Sequence, residues 1–253
     1  MTPEQIAAAS KPLVLELGDA FGRCPVTLRR ARLLGISGWA FYVAGRAGAL
    51  GDVRAETVAA TLGFLAPDAV ADGWDGAART VRPSEVAAAM LAECCRWGSQ
   101  HLDDLPRIDR LVGLLERAVH AADGSGLPLF AAWRAIPVPH RAAGARAAAA
   151  LRLLREYFTG VYLLAVRASG MTPLEAVLAG PEGEAGAMAC GWPPPYPAVG
   201  PLVRRRLWAE AVTHRLAAPA FAALGPVDGT ELVELLAATR AHLGAVARAH
   251  PAA

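Results

Sequence analysis

The 253-residue chain contains no asparagine, and Lys11 is its sole lysine, so all but one of its 25 basic residues are arginine. An alanine-rich, arginine-for-lysine composition is what a high-GC coding bias produces. A functional reading stands beside it, because a guanidinium grips carboxylates, sulfates and phosphates in a fork. Cysteine is scarce. Cys24, Cys94, Cys95 and Cys190 form no CxxC pair, and neighbours 94 and 95 on a helix face different ways. That argues against a structural zinc or a disulfide framework and predicts small buried hydrophobes in a reducing cytoplasm. Aromatics make up only 6% of the chain, so its mean hydropathy of +0.31 comes from alanine. No sustained apolar run reaches the roughly 18 residues that a membrane-spanning helix needs. Glu4 comes early, with no basic start and long apolar run, which speaks against a signal peptide. A net charge of +2 and a pI near 8.5 do not suggest a dedicated nucleic-acid binder. There is no GxSxG, HExxH, Walker A sequence or GxGxxG. His101, His120 and His140 stand too far apart to imply a metal site, and neither metal nor cofactor is predicted.

Helical signals fill the space that strand signals leave empty, and the fold class predicted is all-α. Helices are expected over residues 12–21, as two pieces between Val26 and Ala49, from Arg54 to Leu65, and from Pro67 to about Gly73. A better defined one runs from the Ser84 N-cap to about His101, with Val86, Met90, Cys94, Trp97 and His101 along its inner stripe. Arg107–Ala122 and the segment after Leu127 follow, then the longest helix, from about Arg141 to Ala168. Past Gly170 the texture changes. A short helix begins at Thr172-Pro173, and Gly191-Trp-Pro-Pro-Pro-Tyr-Pro197 reads as a rigid connector. Helices resume over 202–216 and 230–248. Residues 1–170 are read as a helical ligand- or substrate-binding domain and 171–253 as a smaller module.

On the long helix Arg155, Thr159 and Tyr162 recur at intervals of four and three and share a face, with Glu156 beside Arg155. Such a stripe either faces solvent or lines a polar cavity; flanking Leu153, Leu154, Phe158, Leu163 and Leu164 keep the cavity open as a reading. A guanidinium buried there needs an anion, so Arg155 should meet Glu156, another acid or a ligand. Tyr42 and Arg46 lie one turn apart and either bind an anionic head group or stack and snorkel. Asp103-Asp104 reads first as a helix cap, with a general-base role as the alternative. Arg204-Arg205-Arg206 reads as a solvated face.

Several stretches together resemble an actinobacterial family commonly labelled helix-turn-helix. They are Tyr42-Val-Ala-Gly-Arg46-Ala-Gly-Ala-Leu-Gly51, Ala66-Pro67-Asp68, Gly126-Leu-Pro-Leu-Phe-Ala-Ala-Trp-Arg134-Ala-Ile-Pro-Val-Pro139, Arg155-Glu156-Tyr-Phe-Thr-Gly-Val-Tyr162 and Pro219-Ala-Phe-Ala-Ala-Leu-Gly225. Their order follows the family over nearly the whole chain. Both histidines of the family's Arg-Glu-His pattern are tyrosines here, Tyr157 and Tyr162, its aspartate is Gly160, and the asparagine after its Leu-Phe-Ala-Ala run is Trp133. The resemblance implies a winged-helix-like C-terminal module, but three consecutive prolines make it a degenerate one and argue against specific DNA reading.

The departures favour recruitment to a small-molecule enzyme, or enzyme subunit, of bacterial specialised metabolism. The chain is also similar in general appearance to aziridine-forming enzymes of azinomycin-type antibiotic biosynthesis. That likeness implies a cofactor-independent cyclase closing a ring as an anion such as sulfate leaves. On this reading Glu156 and Tyr162 are catalytic, while Arg155, Thr159, Tyr42, Arg46, Trp133 and Arg134 bind substrate. Expected partners are a small anionic or amine-bearing metabolite and a small partner protein or second copy, with no specific DNA and no membrane. The alternatives are a ligand-responsive transcriptional regulator of helix-turn-helix type and a non-catalytic binding partner.

Overall fold

The computed structural model describes residues 1–139, 142–200 and 202–249, with side chains described as far as residue 245. His140 and the expected helix start at Arg141 lie outside these residues. Thirteen α-helices and no strand occur among the described residues, 76% of which are helical. They are α1 (Pro3–Leu17), α2 (Pro25–Leu33), α3 (Gly38–Ala47), α4 (Ala55–Leu62), α5 (Pro67–Ala78), α6 (Pro83–Leu102) and α7 (Ile108–Ala121). Then come α8 (Pro128–Arg134), α9 (Ala143–Ala168), α10 (Pro173–Leu178), α11 (Gly183–Ala189), α12 (Leu202–Ala222) and α13 (Gly225–Ala249).

The 26-residue α9 is the axis, with α1, α6, α7, α8 and α12 packed round it. An alanine- and leucine-rich run with no internal proline favours so long a helix. Its N-terminus has no capping side chain of its own; Asp103 Oδ1 accepts from the Gly144 amide at 2.5 Å instead. Asp103 thus caps a helix some forty residues away rather than the one that follows it. Two glycines let α6 approach α9 closely. A Cβ on Gly98 would lie 2.3 Å from the Gly144 carbonyl oxygen, and one on Gly144 would lie 2.4 Å from that of Gly98.

Several expectations need correction. The first helix starts at Pro3, because Thr2 and Gln5 form a reciprocal capping box, and it continues through Pro12. Helix α5 runs through Gly73 to Ala78, since Gly73 lies where α5 meets Trp39 and Val43 of α3. At α6 the cap position is Arg82 rather than Ser84, with Pro83 opening the helix. The glycine- and alanine-rich stretch before the proline connector holds α11. Helix α12 continues through Pro219, where buried Ala217, Ala220 and Phe221 anchor the turn that has lost an amide.

The winged-helix-like module does not form among the described residues: two long helices, α12 and α13, occupy its place, with no strand for a wing. One hydrophobic cluster runs from Ile6 to Leu236, a second joins Ala165, Val166, Met171, Ala176, Leu202 and Ala209, and α1 packs on α9, α12 and α13 together. Helix α13 is clamped to α7 by ion pairs from Arg110 to Asp228 and Glu231, each at 2.6 Å, and from Arg117 to Asp228 at 2.5 Å. The proline connector does not reach out as a linker. It folds back on the α4–α5 turn, where Trp192 Nε1 donates to the Phe64 carbonyl at 2.9 Å and the Ala66 amide to that of Cys190 at 2.9 Å.

Candidate functional site

Helices α3 and α9 bring Arg46 and Glu156 together in the core. Arg46 Nε donates to Glu156 Oε1 at 3.0 Å and Nη2 to Oε2 at 2.7 Å, a bidentate pair with both side chains almost wholly buried. Arg46 Nη1 reaches the Tyr42 hydroxyl at 3.1 Å, and Tyr42 stacks on Trp39. Arg155 Nη1 donates to Glu156 Oε1 at 3.1 Å, and its Nη2 lies 3.1 Å from Asp19. Burial alone would raise the Glu156 carboxyl, but the fields of Arg46 and Arg155 and the bonds from Arg46 outweigh it and hold it at about 2. Burial opposes the charge of Arg46, which Glu156 nonetheless keeps firmly protonated. At about 2 Glu156 is a feeble proton acceptor near neutrality, with both oxygens engaged.

A third arginine completes this layer. Arg152 lies flat over Trp133, 3.7 Å from the ring centroid, and reaches the Gly45 carbonyl at 3.3 Å. It has no carboxylate of its own, and burial pulls its guanidinium down to about 10 against the field of Glu156. Trp133 Nε1 in turn donates to the Arg46 carbonyl at 2.7 Å. The cluster is an interlocked polar core, open on one side to a cavity of about 350 Å³ bounded by Arg46, Glu156, Thr159 and Leu163.

The larger opening lies on the next face of α9. A cavity of about 640 Å³ is enclosed by α1, α9, α10, α11 and α12, with apolar walls from Leu15, Phe64 and Phe158. Lys11, Glu182, Arg206, Glu210 and His214 bring polar groups to its wall. Lys11 pairs with Glu210, and its Nζ stands 4.2 Å from the Tyr162 ring centroid. Glu210 is also faced by Arg206 at 3.5 Å and His214 at 4.0 Å. Burial pulls the Lys11 ammonium below its ordinary value, with Glu210 opposing. Burial and the neighbouring Lys11 also lower His214. Tyr162 stacks on Phe64, and burial pushes its phenol up.

The structure therefore brings together Tyr42, Arg46, Arg155 and Glu156, with Trp133 beneath them. Thr159 borders both cavities, and its hydroxyl donates back to the Arg155 carbonyl at 2.8 Å. Tyr162 faces the larger cavity, away from Glu156. Arg134 is exposed at the end of α8, bound to the Ala122 carbonyl at 2.5 Å, and touches neither cavity. Tyr157 is buried against Phe130 and Phe158. Sequence reasoning missed Lys11, Arg206, Glu210 and His214. The spacing of Arg206, Glu210 and His214 at intervals of four marks one helical face, but nothing local ties that face to Lys11.

Cys94 and Cys95 are buried on α6 with thiols pushed up to about 12 and 11, and all four cysteines are free. Among the described residues no three His, Cys, Asp or Glu side chains converge as a metal site would require, and no helix is long and apolar enough to cross a membrane.

A helix-turn-helix family matches the chain over residues 23–205, well over half its length, and the chain belongs to that family. The buried Arg46–Glu156 cluster lies inside the matched region, whereas Lys11, Arg206, Glu210 and His214 lie outside it. No curated protein and no solved structure matches the chain, so the likeness to aziridine-forming enzymes has no counterpart among them.

Proposed function

We propose that the chain is a ligand-responsive regulator of helix-turn-helix type, with the 640 Å³ cavity as its effector pocket. The observation that carries this reading is the family match over residues 23–205. It takes the place of the ring-forming enzyme as the first reading. The cavity supports it: small-molecule pockets of about 300–1,000 Å³ are mostly apolar with a few placed polar groups. Helix α12 supplies a route from ligand to surface. Its Arg206, Glu210 and His214 face the cavity, while Arg204, Arg205 and Trp208 of the same helix are exposed. A ligand that favours one position of α12 shifts the population that presents these residues to DNA. The free thiols suit action in a reducing compartment.

Duplex fragments flanking the chain's own coding region provide the test, by mobility shift across a salt series. A specific complex is expected that weakens steeply with salt and weakens again in Arg204→Gln/Arg205→Gln. Indifference to sequence, with the same affinity for random duplex of equal length, would remove the regulator reading.

A second reading, the ring-forming enzyme, rests on one observation. Arg206 and Lys11 can hold an anionic leaving group in the same cavity where Glu210 and His214 can accept an amine proton. Native mass spectrometry of protein purified from its own host separates the two. A bound substrate–product pair supports the enzyme, and a single unchanged metabolite supports the regulator.

A further inference from the structure

All 24 other members of the Lys/Arg set in this chain are arginine, yet one of the two such residues facing the 640 Å³ cavity, beside Arg206, is lysine. Lysine and arginine differ there in one property beyond shape. An ammonium can lose its proton within reach of neutral pH when buried, and a guanidinium cannot. The coding bias that supplied arginine elsewhere does not account for the exception. Lys11 is also among the few charged residues of the chain that are almost wholly buried.

Its surroundings are those of an amine held for use. Lys11 is buried on α1, and half-buried Leu15, one turn on, lines the same cavity. Nζ lies against the face of Tyr162 and beside one carboxylate, Glu210, with Arg206 and His214 next to that carboxylate. Burial already biases the amine toward its neutral form. Glu210 stands in contact to receive the ammonium proton, and Arg206 keeps that carboxylate from being a lone buried charge. The apolar walls exclude competing water from an organic ligand once it is seated.

We propose that Lys11 captures the aldehyde or ketone group of an apolar ligand in this cavity as a reversible imine. The neutral amine adds to the carbonyl carbon, forming the C–N bond as the carbonyl π pair moves to oxygen. The alkoxide takes a proton from the attacking nitrogen to give the carbinolamine, whose hydroxyl then takes the proton held by Glu210 and leaves as water while the nitrogen lone pair forms the C=N bond; the remaining N–H proton passes to the freed Glu210 carboxylate. Amine and carbonyl thus become imine and water, with no oxidant or reductant. This inference rests on the reading of the cavity as a ligand pocket, but not on what that ligand regulates or becomes.

The test uses cinnamaldehyde with cyanoborohydride, which freezes an imine as a secondary amine visible by intact mass. One adduct per chain is expected. Fragmentation of the peptide covering residues 1–23 should place it on Lys11 rather than on the α-amine of Met1. Lys11→Arg keeps the charge beside Glu210 but has no amine to react, so the adduct should vanish. That variant's fold and pocket are followed by its thermal transition and by binding of N-phenyl-1-naphthylamine, an uncharged dye for apolar cavities.

Adduct confined to Met1, or equal in Lys11→Arg, would overturn the proposal. So would the absence of adduct in a wild-type chain that binds the dye and releases it to cinnamaldehyde, which would leave the pocket itself standing. Failure of the dye to bind while Lys11 is still captured would instead remove the pocket reading and keep the amine chemistry.

Discussion

Arg46 and Glu156 are 110 residues apart in sequence and joined by two hydrogen bonds of 3.0 and 2.7 Å in the core. The pair ties α3 to the central helix α9, and Arg155 extends it to Asp19 at the end of α1. A buried ion pair is not in itself a source of net stability, because desolvating both charges offsets their attraction. Its consequence is specificity of docking: each partner is costly when left alone.

Removing one partner should therefore be far worse than removing both. Arg46→Met or Glu156→Gln is expected to lower unfolding free energy by about 3–5 kcal/mol, and Arg46→Met/Glu156→Leu to recover a large part of that loss. Denaturant unfolding of the three variants measures it. Equal losses in single and double variants would mean that the pair does not act as a unit.

The same carboxylate sets an acid limit. The Glu156 carboxyl is held at about 2 in the folded chain against an ordinary value of 4.5, so its folded-state value is depressed. Its stabilising share is fully present above the ordinary value and is lost as pH falls toward 2. Thermal unfolding should show a steeper loss between pH 5 and pH 2 (approximate bounds of that window) in the parent than in Glu156→Gln.

The crossing of α6 and α9 tolerates no added methyl group. Gly98→Ala and Gly144→Ala each place a Cβ within 2.4 Å of a backbone oxygen on the opposite helix, and backbone cannot yield as a side-chain tip can. Each should cost about 1–3 kcal/mol or more by overpacking. Gly113→Ala, where nothing lies within 4 Å on an exposed face of α7, serves as the neutral control.

Thiol reactivity should divide the four cysteines in two. Cys94 and Cys95 are buried with thiols pushed to about 12 and 11, so the thiolate that reacts is nearly absent at pH 8. Cys24 and Cys190 are half-exposed. Iodoacetamide at that pH is expected to label Cys24 and Cys190 in the folded chain and all four after unfolding, read by peptide mass.

The sequence by itself determined the helices and the faces they bury. Periodicity, proline starts and capping are local, and a helix satisfies its own backbone. The stripe Val86, Met90, Cys94 and Trp97 is therefore buried where its spacing placed it. Even the early start of α1 was written in Thr2 and Gln5. The shared face of Tyr42 and Arg46 was legible for the same reason, as was the need of Arg155 for an acid.

Which acid met which base was decided elsewhere. Glu156 answers Arg46 across 110 residues, and Glu210 answers Lys11 across 199, through the docking of α12 on α1. The cavity exists because five helices leave a gap beside α9, and Tyr162 looks into that gap rather than toward Glu156 because α9 turns them to different neighbours. Pro219 stays inside α12, and the C-terminal helices join the N-terminal core, because buried side chains hold them there. Local pattern specifies how a segment coils; only packing between distant segments decides what its side chains face.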